Sequence, residues 1–139
     1  MSIAKIMSTR VVSVHMDDSL QSLRELFAAT GLHHLVGVHD NKLQGIISDR
    51  DLMKSISPFV DTLSERKLDR ATLDKKAHQI MTREVITLNP SDSVYSAIEL
   101  FNTHKISCIP IIDTKRHPVG MVSWRDVMKF MQSRVEAKR

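Results

Sequence analysis

One arrangement of residues that can do chemistry occurs twice in this chain: Gly45-Ile46-Ile47-Ser48-Asp49-Arg50-Asp51 and Gly120-Met121-Val122-Ser123-Trp124-Arg125-Asp126. In each, an apolar run ends in Ser and leads into a helical pattern. Such a junction gathers free backbone N–H groups and the positive end of a helix dipole at one spot, where an anion can bind. The hydroxyls of Ser48 and Ser123 can donate to a phosphate or sugar oxygen, and Arg50 and Arg125 can supply charge-assisted forks. Asp51 and Asp126, one turn into their helices, can accept from two vicinal hydroxyls, as an acidic side chain holds a ribose in dinucleotide folds. Together they describe a ribose-phosphate receptor. A second reading needs no ligand: Ser-x-x-Asp is also a capping box, in which hydroxyl and carboxylate satisfy the first N–H groups of their own helix. Capping does not require the same Gly, Ser, Arg and Asp in both copies, which favours the receptor, although common descent also preserves them.

The elements that must position these residues are themselves repeated. Ile6-Met7 returns as Ile80-Met81, Asp18-Ser19 as Asp92-Ser93 and Glu25-Leu26-Phe27 as Glu99-Leu100-Phe101, each 74 residues on, and the signature returns after 75. A collinear run with one slip marks a duplication, and two copies call for a pseudo-symmetric pair rather than a solenoid. In each copy Val11–Val14 or Val85–Leu88 reads as a strand. Asp17 or Asp18, and Ser91 or Asp92, offer N-caps for helices with stripes Leu20, Leu23, Phe27 and Val94, Ile98, Phe101. Strands follow at Leu35–Val38 and Ile109–Ile112, then at Leu43–Ile47 and Val119–Val122, before a closing helix. The expected fold is α+β, a tandem pair of β-α-β-β-α units packed with pseudo-two-fold symmetry. Repeat one covers 1–57, a charged linker 58–77 and repeat two 78–139. In the linker Leu63, Leu68 and Leu73 are too widely spaced for one stripe. Short helical turns over an edge are expected there, with Thr72 as a cap for a helix running towards Ile80.

The composition narrows the classes. At 139 residues the chain can bury a core without disulfides, and its only cysteine, Cys108, reads as a buried small hydrophobe in a reducing compartment. One cysteine excludes a cysteine-ligated zinc site. No secretory signal and no span of about 20 apolar residues is visible, so a cytoplasmic protein off the membrane is expected. The net charge of +4 is small and its basic residues are scattered, densest at Lys75-Lys76 and at Arg134, Lys138 and Arg139. That pattern, with few aromatic residues, argues against nucleic acid.

At the two signatures, at Ile6-Met7-Ser8 and at Ile80-Met81-Thr82, the chain resembles a CBS-domain pair, or Bateman module, over about Ile3 to Met131. Its length, charged insert and Ser48-Asp49-Arg50-Asp51 ending are most similar to the small stand-alone subgroup that includes acetoin-utilisation accessory proteins. The resemblance implies a regulatory, non-catalytic module that binds AMP, ADP, ATP or S-adenosylmethionine in the cleft between copies. It implies that Asp51 and Asp126 take ribose hydroxyls and that Ser48 and Ser123 touch ribose or phosphate. The adenine would lie against Val12-Ser13 with Leu35-Val36, and Ile86-Thr87 with Ile109-Pro110. Copy one departs from the pattern: Leu35-Val36-Gly37 stands where copy two has Ile109-Pro110-Ile111. Losing that fixed φ predicts a reshaped strand in copy one and makes copy two the better-supported site.

Other functions find less support. His33 and His34 are adjacent, so in a strand they point to opposite faces and cannot share a metal ion. No nucleophile elbow, Walker loop or dinucleotide fingerprint is present, no catalytic residue is assigned and no cofactor is required. The alternatives are a ligand-free structural or dimerisation module and, behind it, a nucleic-acid-binding protein. A lone module must act in trans on an unknown protein target. A homodimer through the helices Leu20–Thr30 and Val94–His104 and the closing helices is expected.

Overall fold

The structure, a computed structural model, describes residues 1–138; Arg139, the end of the basic C-terminal cluster, lies outside them. Five strands and six helices follow in the order β1 (Ser13–His15), α1 (Leu20–Thr30), β2 (His34–His39), β3 (Lys42–Ser48), α2 (Asp49–Ser55), α3 (Lys67–Ala71), α4 (Ala77–Ile80), α5 (Val94–Thr103), β4 (Cys108–Ile112), β5 (Pro118–Ser123) and α6 (Trp124–Ala137). Among the described residues no helix is long and apolar enough to cross a membrane.

The chain forms two compact units, Val12–Glu84 and Met1–Val11 with the chain from Val85 onward. In the first, sheet order is β1-β2-β3, with β1 parallel and β3 antiparallel to β2. Its core joins Val14, Leu35 and Ile47 from the sheet to Leu20, Leu23 and Phe27 of α1 and Leu52 of α2. Strand residues alternate between faces, so Ser13, His34, Val36 and Ser48 share the opposite face. In the second unit β4 pairs antiparallel with β5 over a core of Ile3, Ala97, Phe101, Ile109, Ile111, Val122 and Val127. Both hairpins carry a register shift at equivalent points, Gly37/Val38 and Ile111/Ile112.

Repeat two lacks the first strand expected at Val85–Leu88. Only an isolated parallel bridge, Leu88 to Ile111, forms there. The cause is Pro110. In the first unit the Val36 N–H donates to the Val12 carbonyl at 3.1 Å; the counterpart of Val36 is Pro110, which has no N–H to give, so that rung is missing. The copy without the proline is thus the one that builds the complete ladder, the reverse of the sequence expectation.

Each unit also takes in the segment that opens the other repeat. Thr82 exchanges two backbone hydrogen bonds with Ile46 (2.9 and 3.0 Å), and Ser8 does the same with Met121 (2.8 and 2.9 Å). These edges approach closely because Gly45 and Gly120 have no side chain. A Cβ on Gly45 would lie 2.6 Å from Met81 Sδ and 2.9 Å from the Thr82 carbonyl oxygen; on Gly120 it would lie 2.6 Å from Met7 Sδ and 3.1 Å from the Ser8 oxygen.

The N-caps fall one or two residues beyond those expected. Ser19 and Ser93 accept from Ser22 and Ser96 N–H groups, while Asp18 and Asp92 accept from the upstream His15 and Asn89 N–H groups at 2.8 and 2.7 Å. The linker contains short helical turns, α3 and a 3-10 turn at Thr72–Asp74 that packs on α1. Thr72 ends α3 instead of starting a helix to Ile80, because the chain extends at Lys75 (ψ 156) before α4. Asp69, 5% exposed, fastens this segment: its carboxylate accepts from the Ser57 hydroxyl and the Arg66 N–H, both at 2.8 Å. The Arg66 backbone bond, followed by that of Ser57, holds this carboxyl below its ordinary range.

Candidate functional site

Both signatures adopt one geometry. Ser48 caps α2, its hydroxyl accepting from the Asp51 N–H at 3.0 Å while Asp51 Oδ2 accepts from the Ser48 N–H at 3.0 Å. Ser123 caps α6 likewise: its hydroxyl accepts from the Asp126 N–H at 3.3 Å, and Asp126 Oδ2 accepts from the Ser123 N–H at 2.8 Å and hydroxyl at 3.1 Å. The capping box is therefore formed in both copies. It engages only Oδ2, and among the described residues Oδ1 of Asp51 and of Asp126 accepts no hydrogen bond. Arg50 and Arg125 are exposed, and among the described residues neither makes an ion pair. Each helix start thus presents a carboxylate oxygen and a guanidinium not used by the fold.

The remaining sequence-predicted residues divide by burial. Leu35 and Ile109 are wholly buried in the two cores, leaving no exposed side chain for a ligand, and Val36 and Pro110 are buried as well. Val12, Ile86 and Thr87 are half-buried and Ser13 is exposed. Ser13 lies opposite Val36 in register, so the first unit brings the Val12-Ser13 segment, Val36 and the sheet face ending at Ser48 together. In the second unit Ser123 lies opposite Cys108, with Pro110 opposite Met121.

The residue facing each signature serine belongs to no motif and was not among the expected site residues. It is His34 in the first unit and Cys108 in the second. Desolvation lowers the His34 pKa from its ordinary value; Asp49 opposes it, His33 adds to the lowering, and Asp51 opposes it last, without reversing the shift. Burial, then Asp126, pushes the Cys108 thiol up to about 12, so it stays protonated at neutral pH. Beside them His33 Nδ1 meets Asp49 Oδ2 at 2.8 Å, whereas in repeat two Trp124 Nε1 donates to the Ile106 carbonyl at 3.0 Å. The signal that pairs the two facing positions is the duplication itself, since Cys108 stands 74 residues after His34. Among the described residues no group of three or more His, Cys, Asp or Glu is placed to hold a metal ion.

A histidine with a folded pKa below its ordinary value leaves stability intact above about 6.5 and costs stability as pH falls from there through the folded pKa. His34→Gln should therefore flatten the fall in melting temperature between pH 7 and pH 5, measured against wild type by thermal denaturation. Identical profiles would contradict this.

The CBS domain profile matches residues 3–58 and 77–133. The chain belongs to the CBS domain family. Its two repeats form a CBS pair of mixed α/β architecture, with sheets of three and two strands. A CBS domain-containing protein of Dictyostelium discoideum is 28% identical over 131 residues, covering 93% of this chain and 90% of that protein. A CBS domain pair solved in complex with 5′-methylthioadenosine and S-adenosyl-L-methionine has a TM-score of 0.76 and 26% identity, covering 96% of this chain and 98% of that one. An acetoin utilization protein from Vibrio cholerae shares the fold, with a TM-score of 0.77 at 20% identity over 99% of this chain and 95% of that one. The Ser-Asp boxes at Ser48 and Ser123 thus stand at corresponding places in the two halves of a CBS pair.

Proposed function

We propose that this CBS pair is a regulatory module that binds an adenine-containing ligand, AMP, ADP, ATP or S-adenosylmethionine, and acts in trans on a protein target without catalysis. The observation that carries this reading is the duplicated box: each copy closes it with one carboxylate oxygen and leaves the other, with a neighbouring arginine, available to ribose and phosphate. The solved CBS pair with two adenosyl compounds supports the ligand class. Asp51 and Asp126 accept ribose hydroxyls, Ser48 and Ser123 contact sugar or phosphate, and Arg50 and Arg125 pair with phosphate. The base lies along Val12-Ser13 and Ile86-Thr87, which retain exposed surface, while Leu35, Val36, Ile109 and Pro110 back them. The free, half-buried thiol of Cys108 fits a reducing, cytoplasmic setting.

The formed capping boxes equally suit a second reading, a ligand-free structural module. A ligand that binds only the folded state stabilises it by about 2.7 kcal/mol at 100 times its Kd. For a chain of this length that is a rise in Tm on the order of 5–10 °C. Thermal denaturation with AMP, ADP, ATP, S-adenosylmethionine and a guanine nucleotide separates the readings. A shift confined to adenine compounds supports the sensor, and no shift with any of them supports the structural module.

A further inference from the structure

The two signatures share their Ser, Arg and Asp but not the residue that faces them. In repeat one that residue is His34, paired in register with Ser48 across the β2–β3 ladder. Leu35 and Ile47 point into the core, so strand alternation puts His34, Val36 and Ser48 together on the other face. Ser13 of β1 joins them there, opposite Val36. In repeat two the place opposite Ser123 is taken by Cys108.

The exchange changes what the site can do with a proton. An imidazole gains or loses one between about pH 5 and 8, whereas the Cys108 thiol, pushed up to about 12, keeps its proton throughout that range. His34 is half-buried, and desolvation disfavours its cation in the unliganded unit. The ionisable groups around it are His33, next to it in the chain, and Asp49 and Asp51 at the end of β3; Arg50 lies between those acids, and Ser13 from β1 brings no charge. Asp49 Oδ2 is shared with His33 Nδ1 at 2.8 Å and Asp51 Oδ2 with the Ser48 N–H at 3.0 Å, and the two carboxylates together do not offset the desolvation. An anion seated against Ser48 supplies the missing countercharge, so binding the anion and binding the proton favour one another.

We propose that the box of repeat one takes up a proton on His34 together with the phosphate of its ligand, and that the box of repeat two does not. The proposal rests on the ligand reading above and adds a regulation to it: the half of the pair that contains Ser48 holds a phosphate-bearing ligand more tightly as pH falls. The sign follows from linkage. Affinity rises as pH drops through the His34 pKa of the complex towards the lower one of the unliganded chain, by about tenfold for each unit between them.

Asp126→Asn leaves the box of repeat one as the tighter site and Asp51→Asn leaves that of repeat two, so equilibrium dialysis of AMP against the two chains reads the boxes separately. The phosphate of AMP itself titrates at about pH 6, but equally in both, so the comparison is one of ratios. On going from pH 7 to pH 5 the Asp126→Asn chain should gain affinity over the Asp51→Asn chain by about 3- to 10-fold. Adding His34→Gln to the first chain should cancel the gain, and adding Cys108→His to the second should create it. In the wild-type chain AMP should move the midpoint of the His34 ring resonance to higher pH, which decides the matter even where a variant fails to fold. AMP bound with equal pH ratios in both chains, or a His34 midpoint that AMP does not move, would overturn the proton linkage and leave the ligand reading standing. No binding of AMP at either pH would overturn the proposal as well, and the same silence from ATP and S-adenosylmethionine would remove the ligand reading with it.

Discussion

Asp126→Asn should leave repeat two folded while weakening AMP binding by roughly 10- to 150-fold. The asparagine carbonyl still accepts from the Ser123 N–H, so the helix start is kept. What is lost is the charge on the oxygen facing ribose, and hydrogen bonds to a charged group contribute about 1.5–3 kcal/mol each. Asp51→Asn should do the same in the other copy. Asp126→Ala should add a loss of about 0.5–2 kcal/mol in stability, because the box itself is opened. Equilibrium dialysis and urea denaturation on the same samples read the two effects separately. A box that serves only its helix predicts the opposite pattern: stability lost with alanine, and affinity untouched by either change.

Gly45→Ala should destabilise its unit by about 1–3 kcal/mol, the usual cost of forcing an added methyl into packed structure. The new Cβ would stand 2.6 Å from Met81 Sδ and 2.9 Å from the Thr82 carbonyl oxygen. The methionine can turn aside, but the carbonyl belongs to the pair of hydrogen bonds joining Thr82 to Ile46. Adding Met81→Ala should therefore not restore stability, since the carbonyl clash remains and a buried side chain is lost. Gly120→Ala should cost less, because the backbone oxygen it approaches, that of Ser8, is at 3.1 Å. Urea midpoints of the single variants test the order. A neutral Gly45→Ala would mean that the Ile80-Met81-Thr82 segment is not docked as described.

These effects turn on features that differ in how openly the chain announces them. The stripes Leu20, Leu23, Phe27 and Val94, Phe101 read directly as buried helix faces, because burial imposes its period on the sequence. The Ser-Asp boxes were legible as well, since capping chemistry is local. The missing strand of repeat two was not: it follows from one absent N–H at Pro110, far along the chain from Val85–Leu88. The caps moved to Ser19 and Ser93 because Asp18 and Asp92 are drawn back to N–H groups upstream, a competition that composition does not rank. Docking of Met7 and Met81 against glycines of the opposite repeat is a long-range contact with no periodicity to betray it. Asp69 looked like any acid in a charged stretch, and its burial depends on Ser57 and Arg66 arriving together.

The two repeats have also diverged in a direction that matters for function. His34 and the His33–Asp49 pair stand beside one signature, where the other has Cys108 and Trp124. Protonation of His34 therefore introduces a pH dependence beside Ser48, whereas the Cys108 thiol facing Ser123 stays protonated at neutral pH.

Calorimetric titration of AMP and S-adenosylmethionine into the folded wild-type chain, with guanosine monophosphate as control, puts the ribose-phosphate assignment to its plainest test. The assignment predicts saturable heat for at least one adenine compound, none for the guanine nucleotide, and loss of that heat in the chain carrying Asp51→Asn with Asp126→Asn. Silence with every adenine compound, or undiminished heat in the doubly substituted chain, would contradict it.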